Sequence, residues 1–172
     1  MRRLAAALAL AFAFVALAAA AQAAELRVPK SGPYAFRVTV PKGWHSKYDA
    51  LGGLLVVPPA SSQHAMLYLA ILTDEKYRGQ PPSMVAAEVA RLAGVDTIES
   101  QKPATISGRQ GTAYFGSIVK KAPRYERKVK IVLLRLGPAT WAQQWIVTQP
   151  GMNYVEADAF NKALDGITLT GP

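Results

Sequence analysis

The side chains with catalytic potential are few, and the most promising of them lie in one short polar cluster. His45, one of only two histidines, is followed directly by Ser46 and, four residues on, by Asp49. A histidine beside a carboxylate and a hydroxyl is a combination that general-base and nucleophilic hydrolysis use. No nucleophile-elbow, zinc-binding or paired-carboxylate pattern accompanies these residues. We therefore expect the chain not to be an enzyme, with an envelope hydrolase that uses His45 and Asp49 or a nearby serine as the alternative.

The same stretch also forms an aromatic corner, in which Trp44, His45 and Tyr48 follow the turn residues Pro41 and Gly43. Proline fixes φ and glycine permits a sharp turn, so the tryptophan can fold back over the edge of a sheet. We interpret Trp44 as mainly a structural plug. The alternative is an exposed aromatic platform that lines a ligand groove together with His45 and Tyr48.

Metal and cofactor sites are not predicted. The sequence contains no cysteine, and the second histidine, His64, lies in a Ser/Gln-rich turn where a histidine is usually solvated. Two separated histidines without clustered carboxylates do not supply the ligands of a transition-metal site. Gly52-Gly53 precedes a strand rather than a helix and is not a phosphate-binding loop. We expect neither a metal nor another cofactor.

The remaining candidate is the basic segment 120–130, with the sequence KKAPRYERKVK. Its six cations are accompanied by one acidic residue, Glu126, and it is predicted to form the tip of a hairpin. One interpretation is a solvated tip whose lysines also discourage strand-to-strand aggregation. The other is an anion-binding finger. The candidate binding residues are Lys120, Lys121, Arg124, Tyr125, Arg127, Lys128 and Lys130.

The N-terminus has the pattern of a secretory signal peptide, residues 1–23. Arg2 and Arg3 precede an apolar run from Leu4 to Ala20, and the small-residue pattern Ala21-Gln22-Ala23 suits a signal peptidase. We predict cleavage after Ala23, with a retained membrane anchor as the alternative. The mature chain is then a single domain, residues 24–172, without a transmembrane segment, and its location is periplasmic or secreted.

The charge balance of the chain indicates what kind of partner to expect. Twenty basic residues stand against 11 acidic ones, and the surplus remains positive after Arg2 and Arg3 leave with the signal peptide. Such a surplus favours anionic partners. We expect an unknown protein or an anionic envelope component, and nucleic acid is not expected for an exported protein. The oligomeric state does not follow from the sequence.

Hydrophobic periodicity predicts an α+β fold in which helices pack on the faces of an antiparallel sheet, an α/β/α sandwich. Two near-continuous apolar runs indicate neighbouring central strands that are covered on both faces. Ser83 is expected to cap the first helix. The predicted strands are Tyr34–Val40, Leu54–Pro59, Ala65–Thr73, two strands around a turn at Ser107–Gly111, hairpin arms at Phe115–Val119 and Val129–Leu136, then TWAQQWIVT and ITLT; the predicted helices are Met84–Ala93 and Asn153 to Gly166.

Three segments carry a resemblance to a known family. They are FRVTVPKGW near the mature N-terminus, TISGRQGTAYFGSI in the middle, and a closing helix with Phe160 before ITLT. Their order resembles the PsbP-like fold, which is shared by the extrinsic PsbP protein of photosystem II, a yeast Ran-binding protein and small exported bacterial proteins of the DcrB type. The resemblance implies a non-enzymatic binding or accessory protein. The lipidated cysteine of many bacterial relatives is absent, so membrane tethering is not implied.

Overall fold

Ten β-strands and two α-helices make up the part of the chain that the computed structural model describes, residues 25–59, 65–121, 124–149 and 154–172. The predicted signal peptide, His64 and Asn153 lie outside these ranges. The elements are β1 (Glu25–Val28), β2 (Ala35–Thr39), β3 (His45–Tyr48), β4 (Leu54–Val57), β5 (Ala65–Thr73), α1 (Pro82–Leu92), β6 (Thr97–Ile106), β7 (Arg109–Lys121), β8 (Arg124–Gly137), β9 (Thr140–Thr148), α2 (Tyr154–Asp165) and β10 (Thr168–Thr170).

The strands form two antiparallel sheets. The large sheet has seven strands in the order β3-β4-β5-β9-β8-β7-β6, and the small sheet has three in the order β1-β2-β10. β4 and β5 are hydrogen-bonded neighbours, as predicted. In the small sheet, the central strand β2 pairs with β1 on one side and with β10, from the end of the chain, on the other.

The large sheet has a hydrophobic cluster on each face. One face, which we call the small-sheet face, packs Leu67 and Val132 against Phe36 of β2 and Phe160 of α2. The other, the α1 face, packs Ile131 and other strand residues against α1. The predicted α+β class, an antiparallel sheet with helices packed on its faces, is thus confirmed. Within the described ranges, neither helix is long and apolar enough to cross a bilayer.

The first helix begins differently from the prediction. Pro81 occupies the N-cap position without a side-chain hydrogen bond, and Pro82 is the first helical residue. Proline suits this position because its φ is already close to the helical value and the first amide needs no partner within the helix. Ser83 therefore lies inside the first turn, and the prediction that it caps the helix is wrong.

The prediction that β4 and β5 are covered on both faces is also wrong. Leu54, Leu67 and Leu69 are fully buried on the small-sheet face, whereas Leu55 and Tyr68, on the α1 face, are partly exposed. The reason is the position of α1, which lies on this same face but packs mainly against β8 and β6, towards the opposite end of the strand order. The side chains of each continuous apolar run therefore alternate between a covered face and a face that is partly open to solvent.

The hairpin arms are longer than predicted. β7 and β8 stay paired as far as Lys121 and Arg124, so the charged segment consists almost entirely of strand. Its neighbour β6 is an edge strand with Pro103 in its interior and a register shift between Ile98 and Ser100.

Candidate functional site

Trp44 lies at the end of a tight turn and packs inward. Its backbone N–H donates to the carbonyl of Pro41 at 3.1 Å, and Gly43 between them has a positive φ of 83°. The indole stacks on the ring of Phe160, with centroids 5.7 Å apart and an interplanar angle of 13°. The contact joins the start of β3 to α2 on the small-sheet face.

The three residues of the aromatic corner do not share one surface. Tyr48 is partly buried on the small-sheet face, where its hydroxyl donates to the carbonyl of Arg27 at 2.9 Å. The ammonium group of Lys30 lies 4.7 Å from the centre of its ring. His45 is exposed and is three residues away in the same extended strand, so it points to the opposite face.

Asp49 is bound within the turn between β3 and β4. Its Oδ1 accepts hydrogen bonds from the amides of Leu51 and Gly53, both at 2.8 Å, and its Oδ2 accepts one from the Tyr68 hydroxyl at 2.7 Å. Partial burial alone would raise the pKa of Asp49, but the bonds from Tyr68 and the backbone outweigh it and lower that pKa. Burial, together with the neighbouring carboxylate, raises the pKa of Tyr68.

His45, Ser46 and Asp49 therefore do not converge on a reacting centre. Neighbours in a strand point to opposite faces, and four residues of extended chain span about 13 Å. Across the described ranges, no group of three or more His, Cys, Asp or Glu side chains is arranged to hold a metal ion.

The sheet pleat divides the cations of the basic hairpin between two faces. Lys128 and Lys130 lie on the small-sheet face, and Arg127, between them, lies on the α1 face opposite Ile118. The Lys128 ammonium group is 2.6 Å from the Glu126 carboxylate, and this hydrogen bond raises the pKa of Lys128. The backbones of Lys120, Lys121, Arg124 and Tyr125 are described as paired strand, while their side chains lie outside the described part of the structure.

Lys130 has a different environment from Lys128. It is partly buried, lies directly opposite Phe115 of β7, and forms no ion pair with any other described residue. Lys102, on the other side of Phe115 in β6, places its ammonium group 6.0 Å from the centre of the phenyl ring. Phe115 thus has the Lys102 ammonium group near its ring and Lys130 as its cross-strand neighbour, and neither lysine forms an ion pair with another described residue.

A second surface was not predicted from the sequence. Five apolar side chains on β4, β5 and β9 lie on the α1 face towards the β3 end of the sheet, where Met66 and Trp145 adjoin the cluster that contains α1, and all five are partly exposed. Tyr68 and Trp145 pair at its centre, with ring centroids 4.6 Å apart at an angle of 45°. We call this surface the open half-face, and its residues are Leu55, Val57, Met66, Tyr68 and Trp145. The sequence signal for this surface is that LLVV and AMLYL are apolar at every position. Because every second residue of a strand faces this side, the side must be apolar too.

This architecture, two antiparallel sheets with a helix on each face of the larger one, defines a small α+β sandwich. No protein-family model matches the sequence, and no curated protein matches it either. Among solved structures, LpqN of Mycobacterium tuberculosis, which is involved in cell envelope biogenesis, matches with 21% identity and a TM-score of 0.52, over 86% of this chain and 91% of LpqN.

Two structures of Mog1 match as well. The Saccharomyces cerevisiae Ran-binding protein Mog1p has 11% identity and a TM-score of 0.50, over 84% of this chain and 94% of Mog1p. A point mutant of Mog1 has 12% identity and a TM-score of 0.52, over 86% of this chain and 97% of that one. The chain thus shares its fold with LpqN and Mog1. Membership of the PsbP-like family itself stays a prediction.

Proposed function

We propose that the protein is an exported, non-enzymatic binding or accessory protein of the cell envelope that recognises an anionic partner through its basic hairpin. The N-terminal sequence pattern supports export, and the fold shared with LpqN supports a role in the envelope. The fold shared with a Ran-binding protein supports recognition of another protein. The separation of His45 from Asp49 favours binding over hydrolysis.

The observation that carries the proposal is the environment of Phe115. Lys102 places its ammonium group near the ring, Lys130 is the cross-strand neighbour of Phe115 on the same face, and neither has a carboxylate partner among the described residues. Partial burial of Lys130 weakens screening by solvent, so an anion beside it is attracted more strongly than at a fully exposed lysine, and Lys102 on the same face adds to that attraction. The phenyl ring adds an apolar contact for the part of the partner that carries the anion.

The test is charge reversal at this pair. We expect the double variant Lys102→Glu/Lys130→Glu to lose binding to vesicles of anionic phospholipid and to polyglutamate, the two probes. Wild-type binding should also fail at high salt, because the Debye length falls from about 10 Å at 0.1 M to about 3 Å at 1 M. Cosedimentation measures the first probe and fluorescence anisotropy the second.

Export has a test of its own. The mass of protein taken from its own host shows whether residues 1–23 have been removed.

The matched control is Lys42→Glu/Arg91→Glu, which changes the net charge equally at two exposed cations elsewhere. We expect this control to retain most of the binding. Binding that survives both the Lys102/Lys130 reversal and 1 M salt would contradict the electrostatic proposal. Equal loss in the two double variants would attribute the binding to net charge rather than to Lys102 and Lys130.

A further inference from the structure

The α1 face of the large sheet is covered on one side only. A cross-strand row of side chains runs over this face from β7 to β3, in the order Tyr114, Ile131, Trp145, Tyr68, Leu55 and Lys47. Tyr114 and Ile131 are buried in the cluster that contains α1. From Trp145 onward, the apolar side chains of the row are only partly buried. The row therefore passes from a helix-covered region onto the open half-face without a change in its apolar character.

The open half-face has the dimensions of one helix. Its five apolar residues lie on three adjacent strands, which at about 4.8 Å per strand gives a width of about 10 Å. An α-helix with its side chains is about 10 Å across. Contiguous apolar patches mark interaction sites on soluble proteins, and these five partly exposed side chains form one such patch. On the neighbouring strands, α1 covers the same type of surface with its buried residues Val85 and Val89.

Two cations and one carboxylate border the open half-face, and Lys47 is the exposed cation among them. Lys47 is exposed opposite Leu55 and forms no ion pair with another described residue. Arg127 lies on the same face, two residues beyond Val129 in β8. The carboxylate at this border, Asp49, accepts a hydrogen bond from Tyr68. A second copy of the chain would bring Lys47 towards a surface with the same charge, which is unfavourable.

We propose that the open half-face docks an amphipathic helix of a partner protein, with the apolar stripe of that helix on Tyr68 and Trp145 and its acidic border facing Lys47. The bound helix lies beside α1 and completes the helical layer on this face of the sheet. This extends the proposed function, since it takes the anionic partner to be a protein, but it uses the face opposite Lys102 and Lys130.

Two synthetic peptides test the proposal with the full mature chain. Both are amphipathic helices of about 18 residues, or five turns, with the same leucine stripe; one has glutamate along the borders of the stripe and the other has lysine. We expect the acidic peptide to bind, measured by anisotropy of a label on the peptide, and the basic peptide to bind at least about tenfold more weakly. Lys47→Glu should weaken the acidic peptide by about threefold, the scale of one exposed ion pair.

Leu55→Lys places a charge in the centre of the apolar surface and should weaken the acidic peptide by about tenfold or more. Met66→Lys is a second variant with the same expected loss, in case the first fails to fold as judged by its thermal melt. The double variant Lys102→Glu/Lys130→Glu is the matched control and should leave the affinity for this peptide unchanged. A failure of the vesicles and polyglutamate to bind bears on the proposed function alone, and a failure of the acidic peptide to bind bears on this inference alone.

Four outcomes would overturn the inference. These are no binding of the acidic peptide up to about 1 mM, equal binding of the two peptides, unchanged affinity in folded Leu55→Lys or Met66→Lys, and a self-associated chain that Leu55→Lys makes monomeric. The last outcome would assign the surface to a second copy. Binding of anionic vesicles that depends on Leu55 while the peptide does not bind would assign it to a membrane.

Discussion

Truncation of Trp44 distinguishes a structural tryptophan from a ligand platform. Removing a fully buried tryptophan to alanine costs about 3 to 5 kcal/mol. Trp44 is partly exposed, so part of that cost is lost, while its stacking on Phe160, at 5.7 Å between ring centroids, contributes about 0.5 to 1.5 kcal/mol beyond burial. We expect Trp44→Ala to lower the free energy of unfolding by about 2 to 3 kcal/mol.

The measurement is urea denaturation followed by circular dichroism, together with a thermal melt. For a chain of this length, the expected loss lowers the melting temperature by about 4 to 12 °C. Trp44→Phe is the matched control, because a phenyl ring still packs on Phe160. It should lower the free energy of unfolding by less than half as much as Trp44→Ala does. A double-mutant cycle with Phe160→Leu should return a coupling of about 0.5 to 1.5 kcal/mol.

The contrary result is equally specific. If Trp44→Ala melts like the wild type and loses the anionic probes, then the stacking on Phe160 contributes nothing measurable and Trp44 acts as a platform. A large destabilisation with no coupling to Phe160 would leave a structural role for Trp44 but would contradict the stacked geometry as its cause.

Two further predictions concern the turn around Asp49. The pKa of Asp49 is lowered in the folded protein. Its hydrogen bonds therefore stabilise the protein above the unfolded carboxyl pKa of about 3.9, and this contribution is lost as the pH falls through the folded pKa. Asp49→Asn should thus reduce the difference in unfolding free energy between pH 6 and pH 3, and an unchanged difference would contradict the assignment. A β-carbon at Gly53 would overlap the phenol of Tyr68, whereas one at Gly137 would make ordinary contact with Thr140 at 3.7 Å. Gly53→Ala should thus cost about 1 to 3 kcal/mol in a denaturant titration and Gly137→Ala clearly less, and equal costs would show that Tyr68 moves aside freely.

Local patterns predicted most of the secondary structure because they record local physics. The alternation from Tyr34 to Val40 corresponds to β2, and the 3.6-residue period after Ser83 corresponds to α1, each within two residues at most boundaries. The length of the basic hairpin was not predictable in the same way. Lysine and arginine suggest a loop, but β7 and β8 stay paired beyond Ser117 and Lys128, where their neighbours β6 and β9 stop pairing, and such a two-stranded extension can carry charged residues on both faces.

Coverage of a sheet face depends on tertiary structure. The apolar run Ala65–Thr73 reads the same whether a helix lies over both faces or over one, because periodicity reports side-chain chemistry and not the position of a distant helix. The open half-face was therefore missed. The side chains of Trp44, His45 and Tyr48 are divided between two faces for a simpler reason, since extended residues that follow Gly43 alternate between the faces of the sheet.

The pairing in the small sheet constrains when the protein can finish folding. β2 forms its hydrogen bonds to β10 between Ala35 and Thr170, which are separated by nearly the whole described chain. Contacts of such sequence separation are slow to form because the intervening loop must be closed first. During synthesis from the N-terminus, Phe36 has no β10 beside it until residues 168–170 have left the ribosome. The small sheet therefore cannot be completed, and Phe36 cannot reach its full burial, before β10 has been synthesised.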